Sequence, residues 1–168
     1  MKKIRLTQHK YALVDNQDFA WLSKFKWNAC KNGMTYYARR LERQGSHRVN
    51  IHMHREIAKP PIAIGVDHRN GNGLDNRRLN LRPATQQQNN HHASLRKDNT
   101  SGYKGVCYYK RGSHWRAYIS INQKILHIGY FDTAKQAAKA YDRKATILFG
   151  EFAYLNFPSR GRKPNSIG

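Results

Sequence analysis

Apolar positions along this chain fall into short alternating runs more often than into long helical ones. Lys10–Val14 and Thr35–Arg40 mix aromatic and β-branched residues as strands do, and Asn16 and the pair Asn32-Gly33 supply turn chemistry. Between them Phe19, Leu22, Phe25 and Trp27 recur at the spacing of one helical face, which predicts a short helix over Asp18–Trp27. His52 and His54 lie in VNIHMHREIA, a predicted strand end entering a helical turn that Pro60-Pro61 stops. Ile62–Asp67 is a second apolar run. A glycine- and asparagine-rich loop follows at Asn70–Asn76, then a brief strand over Arg78–Arg82. Thr85 and Gln88 form a capping-box pair, so a helix starts at Gln86. The predicted order is strand, loop, strand, helix.

Residues 91–101, HHASLRKDNTS, have little periodicity, and a linker is placed at 93–101. Three more strands follow at Gly105–Tyr109, Trp115–Ile121 and Ile125–Tyr130. In the second, Trp115, Ala117, Ile119 and Ile121 share one face, and Arg116, Tyr118 and Ser120 share the other. Thr133 and Gln136 announce a last helix, on which Ala134, Ala137, Ala138, Tyr141, Ala145 and Leu148 recur at helical spacing before Gly150. That stripe is expected to pack on the apolar side of the three strands, leaving Arg116, Tyr118 and Ser120 outward. The fold class is therefore α+β. Two small domains are predicted, 1–92 and 102–158, with a basic tail over 159–168 that is a flexible end or an auxiliary phosphate-binding arm.

Charge sharpens this picture. The 168 residues carry 31 Lys and Arg against 10 Asp and Glu, a net +21 spread along the whole chain, which points to a polyanionic partner. No apolar run approaches the roughly 18 residues of a membrane span, and the basic residues do not line one amphipathic helix, so nucleic acid is favoured over lipid. Cys30 and Cys107 stand far apart with no Cys-x-x-Cys pair, which excludes a thiolate zinc site and suits free thiols in a reducing cytoplasm.

The densest chemistry lies in VDHRNGNGLDNRRLNLRPATQQQNN, residues 66–90. Cleaving a phosphodiester takes a water, a base for its proton, and positive charge where the leaving oxygen develops. Asp67 and Asn89 are hard oxygen donors suited to Mg²⁺ or Mn²⁺, and His68 is an imidazole able to accept the proton. Neighbours on a regular strand face opposite ways, so Asp67 and His68 share a site only if the strand ends or bends there, as Gly71 and Gly73 allow. Asn80 would hold the loop through backbone hydrogen bonds. Arg69, Arg77, Arg78 and Arg82 are read as DNA-backbone contacts.

Asp67-His68, Asn80 in NLR, and Thr85-x-x-x-Asn89 together resemble the HNH nucleases, in particular intron-encoded homing endonucleases, over residues 1–92 with the core motif at 62–92. The resemblance implies a ββα-metal module. It implies further that His68 is the general base, that Asp67 and Asn89 bind one divalent ion with the scissile phosphate, and that Asn80 braces the loop. Asn90, His91 and His92 adjoin Asn89, and a shift of register would make His92 the ligand. His54-Arg55 resembles the His-Arg that often precedes the module, with no catalytic role carried over.

Residues 102–158 resemble the Apetala-two (ethylene-response-factor) DNA-binding domain through GYKGV, WRAYISI, IGYFDTAKQAAKAYDRKA and LNFP. The resemblance implies three antiparallel strands backed by a helix, with the sheet in the major groove. Lys104, Tyr109, Arg111, Arg116, Tyr118, Ser120 and His127 would then face the DNA. Cys107 and Tyr109 stand where plant domains usually have arginines, and His127 where they often have tryptophan, so the plant recognition sequence does not transfer.

The combined expectation is a site-specific, metal-dependent endonuclease on double-stranded DNA, acting as a monomer in the cytoplasm of a bacterial or phage-infected cell, with no membrane and no obligate protein partner. Its products would carry 5′-phosphate and 3′-hydroxyl ends. A non-catalytic DNA-binding regulator is the main rival, and an RNA-binding protein a weaker one.

Overall fold

The computed structural model describes residues 1–92, 95 and 98–158; the tail over 159–168 and part of the linker over 93–101 lie outside the described residues. The chain is mixed α+β and divides into two compact units, Met1–Asn89 and Asn90–Gly168.

In the first unit β1 (Lys2–Arg5) and β2 (Tyr11–Val14) pair antiparallel, and α1 (Asn16–Leu22) follows. The helix stops five residues short of the predicted end. Trp27 turns back instead and donates from Nε1 to the Leu22 carbonyl at 2.9 Å, while the Arg40 guanidinium covers Phe25, 4.2 Å from its ring centre. One buried tryptophan thus takes an orphan carbonyl at the helix end.

A three-stranded antiparallel sheet comes next: β3 (Asn28–Asn32), β4 (Thr35–Gln44) and β5 (His47–His52), with β4 central. Gly33 and Gly45 take φ of +60° and +61° in the two tight turns, a conformation that glycine adopts without strain. The sheet runs into α2 (Met53–Ala58). Next, β6 (Gly65–His68) starts later than the apolar run suggested, because Ile62 is fully exposed. A 3₁₀ turn at Arg78–Asn80 replaces the front of the predicted strand, and β7 (Leu81–Ala84) pairs with β6. The last element, α3 (Gln86–His92), opens on the expected capping box: Gln88 N–H donates to Thr85 Oγ1 at 3.2 Å and Thr85 N–H to Gln88 Oε1 at 2.8 Å.

The core of this unit gathers Ile4, Leu6, Val14, Leu22, Trp27, Met53 and Ile57, all buried. It also fixes the loop between β6 and β7. Leu13 N–H donates to Leu74 O and Asn76 N–H to Leu13 O, both at 2.8 Å, and Gly73 N–H donates to Thr35 Oγ1 at 3.0 Å. Two elements of the small sheets thereby hold a long loop still.

The second unit is a three-stranded antiparallel sheet, β8 (Val106–Tyr109), β9 (His114–Ile121) and β10 (Lys124–Phe131), packed on the 16-residue α4 (Ala134–Phe149). Both hydrogen bonds of the Thr133–Gln136 box are present. Val106, Ala117 and Ile119 meet Ala137, Ala138, Tyr141 and Ala145, so the alanine stripe lets the helix axis approach the sheet closely; Leu148 falls off the stripe and is exposed. Buried Asp142 accepts from the N–H groups of Asn156 (2.9 Å) and Phe157 (2.8 Å) and ties down the closing LNFP segment. Among the described residues no helix is long and apolar enough to cross a membrane.

Candidate functional site

Strand β6 ends as soon as it has presented Asp67 and His68. The two residues pair with Arg82 and Leu81 of β7, and the chain then turns at Gly71, whose N–H donates to His68 O at 2.8 Å with φ +71°. Helix α3 brings Asn89 to the same strand: a Cβ on Gly65 would sit 3.1 Å from Asn89 Nδ2. Gly65 and Asp67 are two apart and share a face of the strand. The carboxamide and the carboxylate therefore occupy one side of β6. Asn89 Oδ1 is buried and accepts no hydrogen bond among the described residues, a cost that a cation would offset.

A carboxylate and a neutral amide oxygen on one strand face fit a hard divalent ion. Among the described residues no three His, Cys, Asp or Glu side chains converge as a metal site, so such an ion would need water and substrate phosphate to complete its shell. His92, the alternative ligand, is the last residue of α3. Its neighbour His91 stacks on Phe149 with ring centres 3.8 Å apart, and burial and the Lys104 charge lower its pKa.

Two residues that sequence reasoning left without a role surround the imidazole of His68. The Tyr37 and His54 rings stand edge-on to it, at 5.6 and 5.2 Å between centres, and contact each other at 5.6 Å. Burial, and then the Asp67 charge, push the Tyr37 hydroxyl above its ordinary pKa. Tyr37 therefore touches His68 and senses Asp67, linking the two sides of the strand end. His54 is pushed down to about 3, first by burial and then by the charges of His68, His52 and Arg55. It packs as a neutral ring. The available signals were His-x-His in β5–α2 and an aromatic at mid-strand, neither specific. Gly73 belongs to the same assembly, since a Cβ there would come within 2.7 Å of the Tyr37 ring.

Asn80 clamps the loop from both ends of its amide. Nδ2 donates to Asp75 O at 2.7 Å, Oδ1 accepts from Asn70 N–H at 3.0 Å, and its own carbonyl accepts from Arg69 N–H at 2.8 Å. Arg77, Arg78 and Arg82 are engaged with carboxylates. Arg77 grips Asp75 bidentately at 2.7 and 2.6 Å, and Arg78 grips Asp18 at 2.8 and 2.7 Å. Hydrogen bonds from Arg78 hold the Asp18 carboxyl below its usual range against burial; at Asp75 burial raises the pKa, and the Arg77 hydrogen bonds and charge outweigh it. Arg82 leaves the DNA-facing set altogether. It is 3% exposed, and its Nε and Nη2 donate to Asp67 Oδ2 at 2.8 and 2.5 Å. Asp18, 60 positions away, claims Arg78, and Asp67, on the paired strand, claims Arg82, neither of which reading residue by residue could reveal; Arg77 is held by Asp75, two positions before it. Arg69 remains exposed at the loop's start.

On the second unit, the side of β9 away from α4 carries Arg116, Tyr118 and Ser120, with Arg116 lying 5.2 Å from the Tyr118 ring centre. His127 is level with Tyr118, Tyr109 with His114, and Arg111 is exposed in the 3₁₀ turn Lys110–Gly112. Lys104 does not join them. Its Nζ donates to His91 O at 2.7 Å and lies over the Tyr154 ring, and burial lowers its pKa to about 8. Cys30 and Cys107 are free thiols.

Residues 101–148 match the AP2 domain family. The chain is 35% identical over 146 residues, 87% of its length, to an uncharacterized HNH endonuclease, L560, of Acanthamoeba polyphaga mimivirus, spanning 74% of that protein. It is 34% identical over 100 residues to Protein 3.8 of Escherichia phage T7, 58% of this chain and 82% of that one. An AP2-like ethylene-responsive transcription factor of Arabidopsis thaliana, TOE2, is 43% identical over 58 residues, 34% of this chain and 12% of its own length. No solved structure matches the chain.

Proposed function

The chain belongs to the HNH endonuclease family and carries an AP2 domain, and from this premise we propose that it is a site-specific DNA endonuclease dependent on one divalent ion, Mg²⁺ or Mn²⁺. In this reading β6, β7 and α3 serve as the ββα-metal module, and the outward face of β8–β10 positions the duplex. Tethering the two units raises the local concentration of the cutting module at its site. The observation that carries the reading is the Asn89 amide, on the face of β6 that also bears Asp67, whose buried oxygen accepts no hydrogen bond among the described residues.

Asp67 and Asn89 would hold the ion beside the scissile phosphate, with Arg82 fixing the carboxylate's direction. Bound there, the ion would supply positive charge opposite the departing 3′ oxygen. His68 takes the proton of the attacking water, its ring held edge-on by Tyr37 and His54. The clamp at Asn80 keeps the strand end and the loop in register with each other. The products are a 5′-phosphate and a 3′-hydroxyl. Arg69, Arg111 and Arg116, with the other exposed basic residues, supply contacts to the DNA backbone and bases.

Incubation with supercoiled plasmid and with a randomised duplex pool tests this in Mg²⁺ and in Mn²⁺. Nicking that falls at least about a hundredfold in His68→Ala, with DNA binding retained, is expected. Binding without nicking in either metal would instead favour the non-catalytic regulator.

A further inference from the structure

The outward face of the second sheet is more apolar than its basic composition suggests, and a bulge makes it so. On β10, Ile125 is level with Ser120 and His127 with Tyr118. Strict alternation from His127 would then turn Gly129 outward and Tyr130 inward. The register shifts between His127 and Gly129, so that Tyr130 stands level with Arg116 on the outward side. Ring contacts bear this out: Tyr130 lies 4.6 Å from His127 and 5.3 Å from Tyr109 between centres. Ile125 and Tyr130 are 65% and 49% exposed, too much for packing residues.

Arg116 is accordingly the one guanidinium on the strands of this face, with Lys110, Arg111 and Lys124 at the turns around it. Cys107 and Tyr130 flank it across the sheet, Tyr109 stands level with His114 toward one end of β9, and His127 and Ile125 stand level with Tyr118 and Ser120 toward the other. Base edges in the major groove present hydrogen-bonding groups with one apolar exception, the thymine C5 methyl. An isoleucine or a tyrosine ring laid on guanine or cytosine edges would strip water from polar atoms and return no hydrogen bond. Laid on a thymine methyl, the same side chains bury apolar surface at no such cost.

We infer that Ile125 and Tyr130, with Tyr109 and His127 beside them, form a thymine-methyl-reading surface, so that the target sequence is thymine-rich on either side of the position facing Arg116. This rests on the reading of the sheet as a DNA-binding face. It departs from readout dominated by arginine and guanine.

The test uses the full chain in EDTA, which separates binding from cutting. Sites selected from a randomised duplex pool are remade with deoxyuridine for thymidine, which removes the methyl and keeps every hydrogen-bonding group. Expected are thymine-rich sites whose affinity drops about fourfold per covered methyl on replacement. The difference should vanish in the Ile125→Ala, Tyr130→Ala double variant, in which both truncated side chains are exposed and the fold is not at risk. Equal affinity for the two duplexes, or a difference that persists in the double variant, overturns the inference. A randomised pool that yields no bound sequence would overturn both it and the DNA-binding role of the sheet. A thymine-dependent difference in EDTA from a chain that nicks none of the selected sites in Mg²⁺ or Mn²⁺ would sink the endonuclease reading alone.

Discussion

The two units place their proposed functional groups at opposite depths. In the second, Arg116, Tyr118, Ile125 and Tyr130 project from the outside of a sheet whose inner face and helix carry the packing. In the first, Asp67, His68, Asn80 and Arg82 are themselves buried, and their partners include the strands and loop that form the core. A sheet face can change its chemistry at little cost to the fold, whereas a site built into packing ties its chemistry to stability.

The largest break in that symmetry is expected at Arg82. Arg82→Ala leaves the Asp67 carboxylate buried without its guanidinium and should cost about 3–5 kcal/mol, read as a lowered urea midpoint of the first unit. Acidification gives a medium effect. The pKa of His54 is about 3 in the fold and near 6.5 unfolded. Between those values the unfolded chain binds more protons. Stability is therefore complete above pH 6.5 and falls on acidification, at about 1 kcal/mol per pH unit for this one group. His54→Gln should flatten that slope in urea midpoints measured from pH 7 to pH 5. In the second unit the sign reverses at Asp142, where burial raises the carboxyl pKa against its backbone hydrogen bonds, so protonation there adds stability. The smallest effect belongs to the sheet face: Ile125→Ala should move the second unit's midpoint by no more than about 0.5 kcal/mol. A larger loss there would erase the contrast.

Local pattern made the second unit readable. Alternation in Trp115–Ile121, the Thr133–Gln136 box and the alanine stripe are all carried by near neighbours, and each reappears in the fold. The Thr85–Gln88 box was legible for the same reason. Elsewhere the information is held by distant contacts. The Arg78–Asp18 pair spans 60 positions, and β1 and β3 had no predicted strand, whereas the runs at Lys10–Val14, Thr35–Arg40, Ile62–Asp67 and Arg78–Arg82 and the strand end before Met53 announced β2, β4, β6, β7 and β5. The bulge that turns Tyr130 outward has no composition signal beyond a glycine in a strand, which sequence reasoning passed over. For the candidate cutting site, spacing nominated the side chains, but Tyr37, His54 and the vacant side of Gly65 emerge only when the chain is folded.

Gly65 sets a tolerance on the whole arrangement. Because nothing but hydrogen projects from that backbone position, the Asn89 amide rests against main chain, 3.1 Å from where a methyl would begin. Adding that methyl would press on the Asn89 amide and on the Ala84 carbonyl alike, and one of them would have to give by a few tenths of an ångström. The precision of this corner is thus kept by an atom the chain omits.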